Sequence, residues 1–423
     1  MNNHHITERI PLQDGTKLND NITIIRLISS RGGSSLVYLA KEGPYSVIVK
    51  EFFPSLKNSG NEYLLKRDEN GCCVSFARGS DTVPYYREAV KKFKNQADKT
   101  IKAIMPENDN DTKDYRSLYC FTCRDITETV KNQVPFNGTV SYYLVFSTTN
   151  GLTLEDYAHN LNDREDLSLK QVLYITRSIL YTVKHLHNKR GYLHLDIKPD
   201  NIYISTDIET IEGTVCFLLD LEGMQKIGHI SEIPGISVNF AAPEISQIYE
   251  FNKEEKTMLI NNIGIHSDTY SIAACMFKLI MGKKYTRKIW EHGIKRLQSQ
   301  KELVFYIKRE VSKVVSVSYP YLVDKITNML SKGLYCLEGN NPAFAAELSK
   351  CRYASCADFI ADINTLLDIL DNRGFHPEIL AMHSREHFSE DYYFRKSRSH
   401  RNSEDLILDD GLFIQEWLPD VTD

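Results

Sequence analysis

From Leu169 to His187 apolar residues recur at helical spacing: Val172, Ile175, Ile179, Leu180, Val183 and Leu186. A period near 3.6 gathers them on one face, so the pattern predicts a helix that buries that face. Upstream the rhythm differs. Apolar runs at 24–28, 36–39, 46–50, 117–126 and 140–146 read as strands. One helix is expected among them, Tyr85 to Ile104, built around KKFKNQADKTIKAI. Downstream, 202–204 and 215–219 read as two further short strands. An apolar helix then opens near Asp268 in HSDTYSIAACMFKLIMG, and a last one runs from Ala357 to Leu370. Strands first and helices after describe an α+β chain, and its length allows two or three lobes.

Composition narrows the picture without changing it. The chain has 423 residues, 42 % hydrophobic and 25 % charged, which suits a soluble protein with a sizeable core. No apolar run approaches the length of a membrane span, and the polar start MNNHHITERIPLQDG lacks a signal segment, so the expected compartment is the cytoplasm. A net charge of −5 argues against nucleic acid as a partner. Nine cysteines are too few for a disulfide scaffold. Cys120 and Cys123, spaced as in some zinc sites, fall in a strand-like stretch where residues three apart face opposite sides. With Cys72 and Cys73 they are expected as structural thiols.

The chemistry concentrates in His194-Leu195-Asp196-Ile197-Lys198-Pro199-Asp200-Asn201. Pro199 excludes a continuing helix, so this is a loop, entered from Gly191-Tyr192-Leu193 and left through Ile202-Tyr203-Ile204. A carboxylate, an ammonium two residues on and an amide five residues on suit phosphoryl transfer. Asp196 can take a hydroxyl proton, Lys198 can neutralise a moving phosphoryl group, and the Asn201 oxygen can ligate Mg²⁺.

The pattern HxDxKPxN resembles the catalytic loop of the protein kinase family in its serine/threonine form, with Lys two residues after Asp. Other segments resemble that family in the same order. Ser30, Gly32 and Ser35 stand where its phosphate loop has three glycines, with Gly33 alongside and Val37 at the valine position. VIVK resembles V-A-I-K, which implies that Lys50 meets the α- and β-phosphates of ATP. KEFFP resembles the opening of an insert in a group of bacterial serine/threonine kinases. Phe146 is implied beside the adenine pocket and 147–149 at the hinge. Asp220, in DLEG, resembles the metal-binding Asp of D-F-G, paired with Asn201 for Mg²⁺. Ala242-Pro243-Glu244 matches A-P-E, Ser237 falls at the position that contacts the catalytic loop, and Asp268 is implied as the brace of that loop. Arg352 is the implied structural partner of Glu244.

The resemblance implies a two-lobed kinase-like fold. A polar lead-in, 1–21, precedes a β-rich lobe, 22–146, with an insert near 55–84. The hinge and a mainly helical lobe follow over 147–371, then a tail, 372–423. Three departures stand out. Gln96 replaces the glutamate that pairs with the lysine, leaving Glu88 or Asp98 as substitutes, and a neutral Gln cannot form the ion pair. Glu222 replaces the Gly of D-F-G. Leu195 stands before the catalytic Asp where an arginine would receive an activation-segment phosphate. The expected activity is an ATP- and Mg²⁺-dependent serine/threonine protein kinase acting on protein substrates. The alternatives are a pseudokinase scaffold and, against the Ala242-Pro243-Glu244 segment, a small-molecule phosphotransferase. Residues 402–423 carry acids, no Lys or Arg, and interspersed Leu, Ile, Phe and Trp. They read either as a disordered tail or as a segment that docks on a lobe or partner.

Overall fold

The computed structural model describes residues 9–30, 35–55, 65–67, 74–76, 83–104, 123–125, 142–147, 151–162, 167–205, 213–230, 240–291, 293–297, 299–316, 318–336 and 341–371. They divide between two compact units, Met1–Arg116 with Cys120–Thr149, and Ser117–Tyr119 with Asn150–Asp423. Gly32, Gly33, residues 148–149, Ser237 and the tail 372–423 lie outside the described residues, as do Cys72, Cys73 and Cys120.

The first unit is a sheet. Strands β1 (Ile22–Ser29), β2 (Ser35–Glu42) and β3 (Tyr45–Phe52) form an antiparallel meander, followed by the small hairpin β4 (Leu65–Arg67) and β5 (Val74–Phe76). Helix α1 (Val83–Ile104) leads to β6 (Cys123–Asp125) and β7 (Tyr143–Ser147), and the sheet order is β1-β2-β3-β7-β6. Side chains alternate across a strand. In β3 this places Val47, Val49 and Glu51 on one face, all buried, and Ile48, Lys50 and Phe52 on the other. Phe52 meets Phe93 of α1 with ring centroids 4.7 Å apart, which seats that helix on the second face.

The first face is covered by a segment that reads as a polar lead-in. Leu12 and Leu18 are buried there, and the Leu12 amide donates to the Tyr38 hydroxyl at 3.0 Å. Two isolated leucines carry no period, so no pattern announces them.

The second unit opens with β8 (Gly151–Thr153), α2 (Leu154–Asn162) and α3 (Leu169–His185). Ser168 caps α3 through a capping box with Gln171. The helix ends in a π-turn, Leu186–Arg190, closed by Gly191 at φ 71°, a conformation that favours glycine. Strands β9 (Tyr192–Leu193), β10 (Ile202–Ser205), β11 (Cys216–Leu218) and β12 (Gln225–Lys226) pair as β11-β10-β8 and β12-β9. Helices α4 (Lys253–Asn261), α5 (Ile265–Met281), α6 (Gln300–Val315), α7 (Val323–Gly333) and α8 (Cys356–Asp371) make up the rest, with short turns between. Almost every residue of α5 is buried, as expected of a central helix apolar on all sides. Gly333 lets α7 approach it, since a Cβ there would meet the Ala273 Cβ at 2.5 Å. No helix among the described residues is long and apolar enough to cross a membrane.

Candidate active site

In the first unit the strand register arranges one row of candidates. Val37 of β2 lies directly opposite Lys50 of β3, and Lys50 lies opposite Leu144 of β7. Directly paired residues in antiparallel strands share a face, so Val37, Lys50 and Leu144 line the side away from Glu51. Ile48 and Phe146 form the next pair along. Ser35 is buried at the start of β2, and Ser30 is exposed at the end of β1. The Ser30 carbonyl accepts from the Arg9 guanidinium, which also donates to the Phe53 carbonyl at 2.7 Å. Gln96 belongs to α1, as do Glu88 and Asp98, both exposed.

Glu51, neighbour of Lys50 on the opposite face, is wholly buried in a polar network. The Tyr38 hydroxyl donates to it at 2.8 Å, and Arg67 of the β4–β5 hairpin forms an ion pair with it. Arg67 also donates to the Ile10 carbonyl at 3.0 Å and lies over the Phe53 ring. Burial tends to discharge the guanidinium, but Glu51 more than offsets that and holds the proton on it; burial pushes the Tyr38 hydroxyl up. The sequence reading passed over this network. Its signal is an acid in phase with Val47 and Val49 on an apolar face, which demands a buried cation.

In the second unit the catalytic-loop candidates come together. Lys198 Nζ lies 2.8 Å from Asp196 Oδ2, and Asn201 Nδ2 donates to the same oxygen at 2.9 Å and to the Asp196 carbonyl at 2.9 Å. Both partners of Nδ2 are acceptors, which fixes the amide orientation and turns Oδ1 the other way. Ile202 pairs with Leu218, and the Leu219 amide donates to the Asn201 carbonyl at 2.8 Å. The ladder thus delivers Asp220, one residue on, beside Asn201. Asp220 adopts φ 58° and ψ 48°, left-handed backbone that a short polar residue tolerates. Leu221 is buried behind it. An amide oxygen and a carboxylate so placed are the hard donors that Mg²⁺ takes.

The loop backbone is held from below. Asp268, fully buried in the first turn of α5, accepts from the amides of His194 and Leu195, both at 2.8 Å. It also receives His187 Nε2 at 2.8 Å. Leu195 has φ 62°, a left-handed conformation costly for a leucine, and the two amide bonds to Asp268 hold it there. Burial would raise the Asp268 pKa, but the hydrogen bond from His187 and the loop groups outweigh it and keep the carboxyl below its usual range. His194 Nδ1 accepts from the Asp196 amide at 3.3 Å, so its proton sits on Nε2, which donates to the Leu219 carbonyl at 2.9 Å. His187 is expected from the sequence only as the end of a helix, and its neighbour Cys356, Sγ 3.7 Å from Nδ1, has no expected role.

The residue before Asp268 does a second job. Ser267 Oγ donates to Glu244 Oε1 at 2.7 Å, and Arg352 NH1 reaches the same oxygen at 2.8 Å, with both charged side chains fully buried. Burial pushes Glu244 up and Arg352 pulls it down further, so it stays charged. The expected Glu244–Arg352 pair is therefore present.

Against known proteins, the family described as "protein kinase domain" matches residues 78–336. This chain belongs to the protein kinase family. Residues 22–52, with Lys50, precede the matched stretch. A bovine (Bos taurus) phosphorylase b kinase gamma catalytic chain, liver/testis isoform, is 33 % identical over 103 residues, 24 % of this chain and 23 % of its own. The serine/threonine-protein kinase Genghis Khan of Drosophila melanogaster is 26 % identical over 152 residues, 35 % of this chain and 8 % of its own. Human (Homo sapiens) serine/threonine-protein kinase MRCK gamma is 27 % identical over 143 residues, 33 % of this chain and 8 % of its own. The kinase thus spans less than a quarter of the length of each relative. Among solved structures, the Mycobacterium tuberculosis PknI kinase domain aligns with TM-score 0.45 and 15 % identity, over 84 % of this chain and 99 % of that one.

Proposed function

We propose that the chain is an ATP-dependent serine/threonine protein kinase that moves the γ-phosphate onto hydroxyls of protein substrates in the cytoplasm. The interlock of Asp196 with Lys198 and Asn201 carries this reading. In it Asp196 orients the acceptor hydroxyl and takes its proton, and Lys198 neutralises charge on the transferring phosphoryl. Mg²⁺, held by Asn201 and Asp220, would supply charge neutralisation at the phosphates. Lys50, with Ser30, Gly32, Gly33, Ser35 and Val37, serves the nucleotide, and Gln96 steadies Lys50 as a neutral partner. Lys198 two residues after Asp196, together with relatives named as serine/threonine kinases, supports that acceptor class. Leu195, buried and unable to bind phosphate, supports a kinase that needs no phosphate docked at that point.

Radiolabelled ATP decides the matter. Wild type should label itself or an added protein on Ser or Thr, and Asp196→Ala should lose that label. ATP with Mg²⁺ should also raise the melting temperature, since a ligand of the native state alone stabilises it. Nucleotide binding without transfer favours the second reading, a pseudokinase scaffold, for which Ser30, Ser35, Gln96 and Glu222 speak. Phosphotyrosine as the main product overturns the acceptor class.

A further inference from the structure

Helix α6 turns one face to solvent, while Leu303, Ile307 and Val311 bury the other. At the centre of the outer face stands Phe305, 70 % exposed and the most exposed large apolar side chain among the described residues. Residues three and four apart are neighbours on a helix. Phe305 therefore has Lys301, Glu302, Lys308 and Arg309 around it, all four exposed. Lys308 pairs with Asp324 at 2.7 Å, which sets the turn carrying the exposed Tyr321 beside this face. Both ends of that pair are open to solvent, and such a pair holds by at most about 1 kcal/mol, so Lys308 can exchange it. Arg309 and Lys313 share a single carboxylate, that of buried Glu310. The surroundings are lopsided too. Residues 282–316 hold ten Lys and Arg against three Asp and Glu, in a chain whose net charge is −5.

A partner for this face brings anions and apolar surface together, and residues 402–423 do so. They hold seven Asp and Glu and no Lys or Arg, which matches the surplus of positive charge on 282–316. Asp409-Asp410 separates the triplets Leu406-Ile407-Leu408 and Leu412-Phe413-Ile414. Glu404-Asp405 precedes the first triplet, and Glu416 follows the second, just before Trp417-Leu418. Apolar groups edged by carboxylates are the counterpart of a phenyl ring edged by cations. Reach is sufficient. Helix α8 ends at Asp371 in the same unit as α6. A flexible chain as long as 372–403 spans about 30 Å on the root-mean-square and about 100 Å when fully extended. Such a tether gives an effective concentration of about 1 mM, at which a contact with Kd of about 0.1 mM is about nine-tenths occupied.

We infer that residues 402–423 dock in cis on the outer face of α6, with their carboxylates on Lys301, Lys308 and Arg309 and an apolar triplet against Phe305. The inference stands apart from the phosphoryl-transfer reading, since it uses no residue of the catalytic loop and none of the nucleotide candidates.

Trp417 reports on the contact. The chain has two tryptophans, and the other, Trp290, is buried. The difference in emission between the full chain and its Trp417→Phe variant therefore belongs to Trp417. In the full chain that difference should be blue-shifted, with about nine-tenths of it protected from acrylamide relative to a synthetic 402–423 peptide. Phe305→Ser, or Lys301→Glu together with Lys308→Glu, should return Trp417 to the quenching of the peptide. So should about 0.5 M NaCl, where the Debye length is about 4 Å. The three side chains are exposed, so these changes leave the core intact, and constant Trp290 emission in the Trp417→Phe background verifies it. Asp409→Lys with Asp410→Lys, added to the charge-reversed face, should restore protection. Trp417 as quenchable in the full chain as in the free peptide overturns the inference. Protection untouched by the variants of α6 places the tail elsewhere and overturns it equally. Protection that fades on dilution assigns the face to the tail of a second copy and overturns docking in cis.

Discussion

Each unit of this kinase buries a carboxylate–arginine pair, and the two pairs do different work. In the first, Glu51 and Arg67 tie the β4–β5 hairpin and the N-terminal segment to the back of the strand that carries Lys50. In the second, Glu244 of the Ala242-Pro243-Glu244 segment is tied to Arg352 and to Ser267 in the first turn of α5, next to the carboxylate that holds the backbone of the 194–201 loop. One network stiffens β3 from its buried face, and the other stands next to the aspartate that holds the 194–201 loop, which the proposed function makes catalytic. In both of these pairs the buried charge pins a segment of distant sequence.

The sharpest way to break the comparison is Asp268→Ala. It strips two loop amides and His187 of their acceptor and leaves Leu195 in an unsupported left-handed conformation. The expected result is a loss of about 3–5 kcal/mol or outright failure to fold, read by chemical denaturation, with no detectable phosphoryl transfer in any folded fraction. Folded, active Asp268→Ala protein would falsify the role given to this residue.

Next come Arg352→Ala and Arg67→Ala, each of which strands a buried carboxylate at a cost of about 3–5 kcal/mol. Their functional signatures should differ. Arg67→Ala should weaken nucleotide affinity through β3 while leaving the loop intact, and Arg352→Ala should depress turnover in proportion to lost structure. Replacing Glu51 and Arg67 together by Leu and Met should recover most of the stability, since an apolar pair of similar volume removes both desolvation costs.

Acid separates the networks further. Glu244 and Asp268 have depressed pKa values, so the stability they give is present above the unfolded carboxylate range and lost as pH falls through their folded values. His185, at the end of α3, is pushed down to about 4, chiefly by burial and then by Arg190 and Lys189. The unfolded chain therefore takes up that proton first, and stability falls as pH drops from about 6.5 toward about 4. His185→Gln should flatten this part of the stability profile by roughly 3 kcal/mol at its acid end, read by denaturation. An unchanged profile shows that the imidazole gains solvent without unfolding.

The smallest expected effect is Tyr38→Phe, which removes one hydroxyl from the Glu51 network and keeps the ring. A loss of about 1 kcal/mol in denaturation is expected, with transfer activity retained. A loss as large as that of Arg67→Ala shows that the hydroxyl, and not the guanidinium, keeps Glu51 satisfied.

The second unit was the more legible of the two, and the reason is physical. Asp196, Lys198, Asn201, Glu244 and Asp268 belong to short segments that resemble the family's motifs in residue type and spacing, so the strings alone point to their being brought together. The Glu244–Arg352 pair could be named because each partner stands in such a segment. Arg67 stands in none. Its partner is chosen by the fold of an insert, and Leu12 and Leu18 are isolated apolar residues in a polar stretch. Leu195 was legible as a missing phosphate ligand but not as a residue of positive φ, because nothing in a leucine announces left-handed backbone. Helix boundaries came within a few residues, with α1 starting at Val83 and α3 giving way to a π-turn at Leu186.

Asp268 also constrains how this chain can change over generations. Two of its three partners are main-chain amides, which no codon alters unless proline arrives. Asn offers one acceptor and turns a donor toward an amide proton, and Glu adds a methylene inside a fully buried site. Neither neighbour of the aspartate codon for an acid or an amide is a usable stepping stone, and no compensating substitution elsewhere can supply two acceptors at that point. Lineages carrying this loop should therefore be able to exchange Glu51 and Arg67 together for an apolar pair while position 268 stands still, and a chain found without the aspartate should have rebuilt or abandoned the loop as a whole.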